Sequence, residues 1–174
     1  MNYQFALPNI DGHQISFADF PDAKGFAVVF TCNHCPYAIA YELRLIALHN
    51  EFASQGVPII AINSNDARQY PLDSFEQMQV RAAQRGFPFP YLHDEDQSTA
   101  HNYGALKTPH VFLLARKGDA LVKVYEGAID DNYSNARAVQ VHYLADAIKA
   151  LLEGQLPSQA QTVPVGCSVK WKPA

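Results

Sequence analysis

The stretch FTCNHCPYA, residues 30–38, holds two cysteines with two residues between them, a histidine beside the second and a proline immediately after. Thiols at this spacing can close a small disulfide ring and reopen it, or supply half of a tetrahedral zinc site. Structural zinc takes four ligands, and the strong signal is a second Cys-x-x-Cys or a histidine pair. The only other cysteine is Cys167, in the tail segment GCSVKW. Redox chemistry at Cys32 and Cys35 is the favoured reading, ahead of metal binding and of two inert core cysteines.

That chemistry needs a strand and a helix to aim it. Gly25–Thr31 is a continuous apolar run rich in Val and Phe, as expected of a central strand buried on both faces. A helix is expected over 36–54, with Tyr41, Leu45, Leu48 and Phe52 along one stripe and Gly56 beyond its end. The cysteines then lie in the turn at or just before the helix N-terminus, where free N–H groups and the helix dipole stabilise a thiolate. This lowers the thiol pKa and would make Cys32 a nucleophile near neutral pH. A protonated His34 would favour the thiolate further. Pro36 costs little in a first helical turn, where its missing N–H has no partner.

The rest of the pattern alternates. A turn at Asp11-Gly12 precedes a short strand at 14–17. Strands are expected at 57–64 and 89–94, and a hairpin at 110–115 and 120–127 around Lys117-Gly118-Asp119. Helices are expected at 73–85, with Asp73 and Glu76 at capping-box spacing, at 97–103 and at 136–153. Strands separated by helices imply βαβ crossovers and a parallel core, to which the hairpin adds antiparallel strands. The fold class is α/β, a central mixed sheet with helices on both faces. Residues 1–154 form the domain, and the tail 155–174 packs on it and carries Cys167.

With 174 residues, 48% hydrophobic and 17% charged, the chain can bury a core. A net charge of −4 with no basic run argues against nucleic acid or an anionic membrane as partner. No apolar stretch reaches the roughly 18 residues of a membrane span. The N-terminal residues MNYQFALPNIDG lack a basic head followed by an apolar segment. The expected location is the cytoplasm, where a close cysteine pair is catalytic or metal-binding more often than structural.

Thr108-Pro109, just before the strand HVFLLA, is a candidate cis peptide. With this pair in place, the order strand, Cys-x-x-Cys, helix, strand, helix, Thr-Pro, hairpin and final helix resembles the thioredoxin superfamily along essentially the whole chain. The N-terminal segment LPNIDGHQISFADF and the helix before FPYLHD resemble its peroxiredoxin-like, redoxin (AhpC/TSA-related) branch. TCNHCPYA together with GCSVKWKP resembles a bacterial group within it. The resemblance implies a thiol–disulfide oxidoreductase without cofactor or metal. Cys32 would attack an oxidised protein or small-molecule disulfide and Cys35 would resolve the mixed disulfide. A thioredoxin- or glutathione-type donor would restore the dithiol. Cys167 reads either as a resolving or relay thiol, should the tail fold back to the pair, or as an unreactive structural residue. Thr31, His34, Pro36, Thr108 and Pro109 would activate the thiols or bind substrate, the backbone at Pro109 lying opposite the cysteines.

The chain departs from both relatives. The peroxiredoxin pattern Pro-x-x-x-Thr-x-x-Cys fits neither cysteine: Val29 and Gly25 stand before Cys32, and Cys32 and Val28 before Cys35. A peroxidase that forms a sulfenic acid is therefore the second reading. Thioredoxins have Trp before the motif and an acid on the preceding strand, whereas here Thr31 takes the Trp position and Phe26–Phe30 has no carboxylate. The proton acceptor must come from elsewhere, with His34, Asp66, His93 and His110 as candidates; His93 and His110 also read as ordinary packed histidines. A third reading, from a different class, is Cu(I) binding as in thioredoxin-fold copper chaperones, whose cysteines are spaced one residue wider.

Overall fold

In the computed structural model, which describes residues 1–174, the chain opens with a short antiparallel pair, β1 (Leu7–Pro8) and β2 (Gln14–Ile15). The apolar run becomes β3 (Gly25–Phe30), followed by α1 (Pro36–Phe52), β4 (Ile59–Asn63) and α2 (Phe75–Arg85). Next come β5 (Tyr91–His93), α3 (Ser98–Tyr103) and β6 (Lys107–Thr108). The hairpin β7 (His110–Lys117) and β8 (Ala120–Gly127), helix α4 (Tyr143–Leu152) and β9 (Cys167–Ser168) complete the chain.

The main sheet has the order β5-β4-β3-β7-β8. β3, β4 and β5 are parallel neighbours, and β7 and β8 add on antiparallel. β3 is central and all six of its residues are buried. Its side chains alternate between two layers, as the two-residue period of a strand requires. Ala27 and Val29 pack with Tyr41, Leu45, Met78 and Ile148 of α1, α2 and α4. Phe26, Val28 and Phe30 pack with the N-terminal Tyr3, Phe5 and Phe17, with Tyr103 of α3 and with Val169 of the tail. Helices lie on both faces as expected, but unevenly: three on one face, and one short helix with extended segments on the other. Gly25 is where β3 must be bare, since a Cβ there would lie 2.5 Å from the Leu114 carbonyl oxygen.

Two element boundaries differ from the sequence expectation for visible reasons. The last helix begins at Tyr143, not 136. Residues 136–138 form a single 3-10 turn capped by the Asn135 side chain. The following segment is pulled straight by bonds to the loop before it, Asp131 N–H to the Val141 carbonyl and Gln140 N–H to Asp131 Oδ1. The second helix begins at Phe75 because Ser74, in extended conformation, takes the cap and accepts the Gln77 N–H. Asp73 is therefore released from capping and is fully buried. The short strands end earlier than expected, at Ile15 and His93. No helix is long and apolar enough to cross a membrane.

Candidate active site

The Thr31 N–H still donates to the Ile62 carbonyl at 2.8 Å, carrying the strand pairing one residue past β3. The chain then turns through Cys32, Asn33 and His34. Cys35 is the N-cap of α1, with extended backbone (φ −73, ψ 125), and Pro36 is the first helical residue. Both thiols are reduced and buried, Cys32 at 3% exposure and Cys35 at 0%. Opposite them lies Thr108, followed by a cis peptide to Pro109. Cys32 Sγ lies 3.5 Å from Thr108 Oγ1, and Cys35 Sγ lies 3.4 Å from the Thr108 carbonyl oxygen.

Cys167 reaches the same place from the tail. β9 pairs antiparallel with β6, Thr108 facing Cys167 and Lys107 facing Ser168. Cys167 and Tyr37 pack against the cluster of Cys32, Cys35 and Ala38. Gly166 allows this approach, because a Cβ there would lie 2.2 Å from the Thr108 carbonyl oxygen.

The three thiols are electrostatically one system. The Cys35 thiol is held down at about 4, first by the Cys32 side chain donating to its thiolate; burial opposes this, and the Cys167 thiol and the Ala38 and Cys167 N–H groups assist it. Cys32 is correspondingly driven up, by sharing its proton with Cys35, by burial and by the nearby charge of Asp73. Burial, then its hydrogen bond with Cys35, pushes Cys167 up to about 11. The two thiols therefore titrate as a pair, each shifting the other.

The carboxylate missing from β3 is supplied by Asp73. Its Oδ1 accepts the Asn33 N–H at 2.7 Å and Asn63 Nδ2 at 3.3 Å. Its Oδ2 accepts Asn65 Nδ2 at 2.9 Å and faces His34 Nδ1 in a short hydrogen bond. His34 is stacked flat on Tyr70, ring centroids 5.3 Å apart. Donor atoms of Cys32, His34 and Asp73 all lie within 4.8 Å of one another. All four hydrogen bonds to Asp73 come from within the chain, that from His34 among them. Asn33 is fixed from its other end by the buried Tyr91 hydroxyl, which donates to Asn33 Oδ1 at 2.7 Å.

The structure thus brings together Thr31, Cys32, His34, Cys35, Pro36, Thr108, Pro109 and Cys167. The other proton acceptors named from sequence are engaged elsewhere. Asp66 takes Arg68 and Gln69. His93 stacks on Phe75 and lines a surface cleft of about 610 Å³ that holds no cysteine. His110 is buried, accepts the Leu106 N–H and has its Nε2 3.4 Å from Glu126. By spacing alone, Asp73 reads as a helix cap. The available signal was Ser74, a better cap standing directly after it.

Asn65 joins the acid to the tail. Its Nδ2 donates to Asp73 and its Oδ1 accepts the Lys170 N–H at 2.9 Å. The Lys170 carbonyl accepts from the Asp66 N–H and Gln97 Nε2, the Val169 N–H donates to the Leu106 carbonyl, and Trp171 stacks on His101 at 4.1 Å.

Against known proteins, residues 2–123 match the AhpC/TSA family. A relative named thiol-disulfide oxidoreductase ResA, from Halalkalibacterium halodurans, is 26% identical over 127 residues, which span 73% of this chain and 67% of that protein. The solved structure of a conserved protein from Geobacillus kaustophilus superimposes with a TM-score of 0.90 at 40% identity, covering 98% of this chain and 90% of that one. The bacterioferritin comigratory protein of Xanthomonas campestris, whose structure is described in connection with alkyl peroxide reduction, superimposes at 0.58 with 21% identity over 86% of this chain and 90% of its own. At that identity the likeness is one of fold, and the fold is thioredoxin-like.

Proposed function

Because the chain belongs to the AhpC/TSA family, we propose that it is a thiol–disulfide oxidoreductase in which Cys32 and Cys35 cycle between dithiol and disulfide. The observation that carries this reading is geometric: two buried thiols at a helix N-terminus, both facing Thr108 beside the cis peptide to Pro109. A protein named as a thiol–disulfide oxidoreductase among its relatives supports it.

The proposed cycle runs as follows. Cys32 is the slightly exposed thiol and attacks one sulfur of a substrate disulfide. Its proton leaves through the His34 imidazole, which Asp73 orients and whose side chain is 22% exposed. The first substrate thiolate departs and a mixed disulfide remains on Cys32. The Cys35 thiolate attacks Cys32 Sγ, and the second substrate thiolate leaves. Two electrons have passed to the substrate. The departing thiolates take up the proton carried by His34 and one from solvent. A donor thiol in a reducing compartment such as the cytoplasm then reopens the Cys32–Cys35 disulfide. Cys167, lying against Cys35, relays that exchange.

Cys32→Ser is expected to abolish turnover. Cys35→Ser is expected to accumulate mixed disulfides on Cys32, detected as mass adducts lost on reduction. Full activity in Cys32→Ser would refute the mechanism. Peptide mapping after mild oxidation tests the relay: a Cys35–Cys167 link places the tail in the cycle, and a free Cys167 throughout turnover removes it.

A further inference from the structure

The backbone beside the two thiols belongs to Lys107 and Thr108, and it is already paired. A polypeptide disulfide reaches a redox site as an extended segment, and such segments are held by adding a strand to an open backbone edge. Here the edge of β6 carries the chain's own β9, with Cys167 directly opposite Thr108. The strand is firmly tied on both sides of Cys167. Upstream, the Thr162 N–H donates to the Glu126 carbonyl at 2.9 Å, and Thr162 Oγ1 accepts the Ala128 N–H at 2.9 Å. Downstream, the N–H groups of Val169, Lys170 and Lys172 are bonded to Leu106, Asn65 and Gln97. Gly166 presses backbone against the Thr108 carbonyl. Tyr37 packs against the same thiols, and its ring meets that of Tyr133 with centroids 4.3 Å apart.

We propose that the substrate of this site is a low-molecular-weight disulfide and not an extended polypeptide, because residues 166–169 fill the strand position that a polypeptide would need. The inference rests on the oxidoreductase reading and narrows it. The Cys167 strand is the one peptide the site accommodates, and it is delivered within the chain.

The test compares kcat/KM for bis(2-hydroxyethyl) disulfide and for the interchain disulfides of insulin, with dithiothreitol as reductant. Full-length wild type is expected to turn over the small disulfide and to leave insulin at the uncatalysed rate. Gly166→Val places side-chain atoms against the Thr108 carbonyl and should lift β9 away, shifting the insulin-to-small-disulfide ratio at least tenfold toward insulin. Trp171→Ala, which frees the far end of the tail, should shift it the same way. Wild type that reduces insulin as readily as the small disulfide overturns the inference, whatever the variants do. So does either variant, if folded by circular dichroism and active on the small disulfide, with no gain on insulin. Failure of wild type on both substrates instead removes the oxidoreductase reading and this inference with it.

Discussion

Asp73 does at the site what no residue of β3 can. Its charge stands close enough to Cys32 to oppose a second thiolate there, and four donors fix the position of its buried carboxyl group. Replacement by Asn keeps the shape and removes the charge. In Asp73→Asn, Cys32 is expected to titrate at lower pH than in wild type, read from the pH dependence of its alkylation by iodoacetamide. Turnover is expected to fall roughly 100-fold as His34 loses its orienting partner. The Asn amide also confronts donors with donors, at a cost of about 1–3 kcal/mol. An unchanged alkylation profile would mean that Asp73 is structural. His110 gives a separate, global pH effect. Burial lowers it from 6.5 to about 4, against the pull of Glu126. Between those values the unfolded chain binds a proton that the folded chain refuses, so stability falls as pH drops from 6.5 toward 4. From this group alone the protein should be about 2 kcal/mol less stable at pH 5 than at pH 7. Urea titrations of wild type and His110→Gln at the two pH values measure the difference, and the variant should lack it.

At the scale of elements, each functional residue is placed by an ending. β3 ends at Phe30 and α1 begins after Cys35, so the motif occupies the turn between a fully buried central strand and the longest helix. α2 begins one residue after Ser74, and that choice of cap leaves Asp73 to point inward. Ser74→Ala should therefore act twice. Loss of the cap costs about 1 kcal/mol, lowering Tm by roughly 2–4 °C in a domain of this size. Turnover should also drop, because the loop carrying Asp73 loses its fixed end. A thermal scan with an activity assay checks both, and a lower Tm with full turnover would separate the cap from the site. The strand and helix alternation was legible because buried strands read as unbroken apolar runs and α1 has a broad apolar stripe. The start of α4 was not, because bonds from 140 and 141 to Asp131 override a local pattern that continues helical.

Across the whole molecule, the tail and the redox loop are tied through one side chain. Asn65 holds Asp73 with one end and the Lys170 backbone with the other, so loosening the tail reaches the acid and the acid's loop reaches the tail. Asn65→Ala is expected to speed alkylation of Cys35 and Cys167 several-fold under native conditions, with the sheet intact by circular dichroism. The orphaned Lys170 N–H and Asp73 oxygen should cost about 1–3 kcal/mol in urea unfolding. Unaltered labelling of both cysteines would show that the tail is held by its other contacts alone.

Read from residues alone, the chain already declared a dithiol at the mouth of a helix, the Thr108-Pro109 pair that the structure shows in cis, and a mixed sheet. These are local features: spacing along a few residues, the period of an apolar run, a proline before a strand. The tertiary structure decided which carboxylate stands beside the thiols and where Cys167 goes. Asp73 meets the motif across 40 residues of sequence, and Cys32 meets Thr108 across 76. Such contacts depend on how the strands stack and where the tail crosses β6.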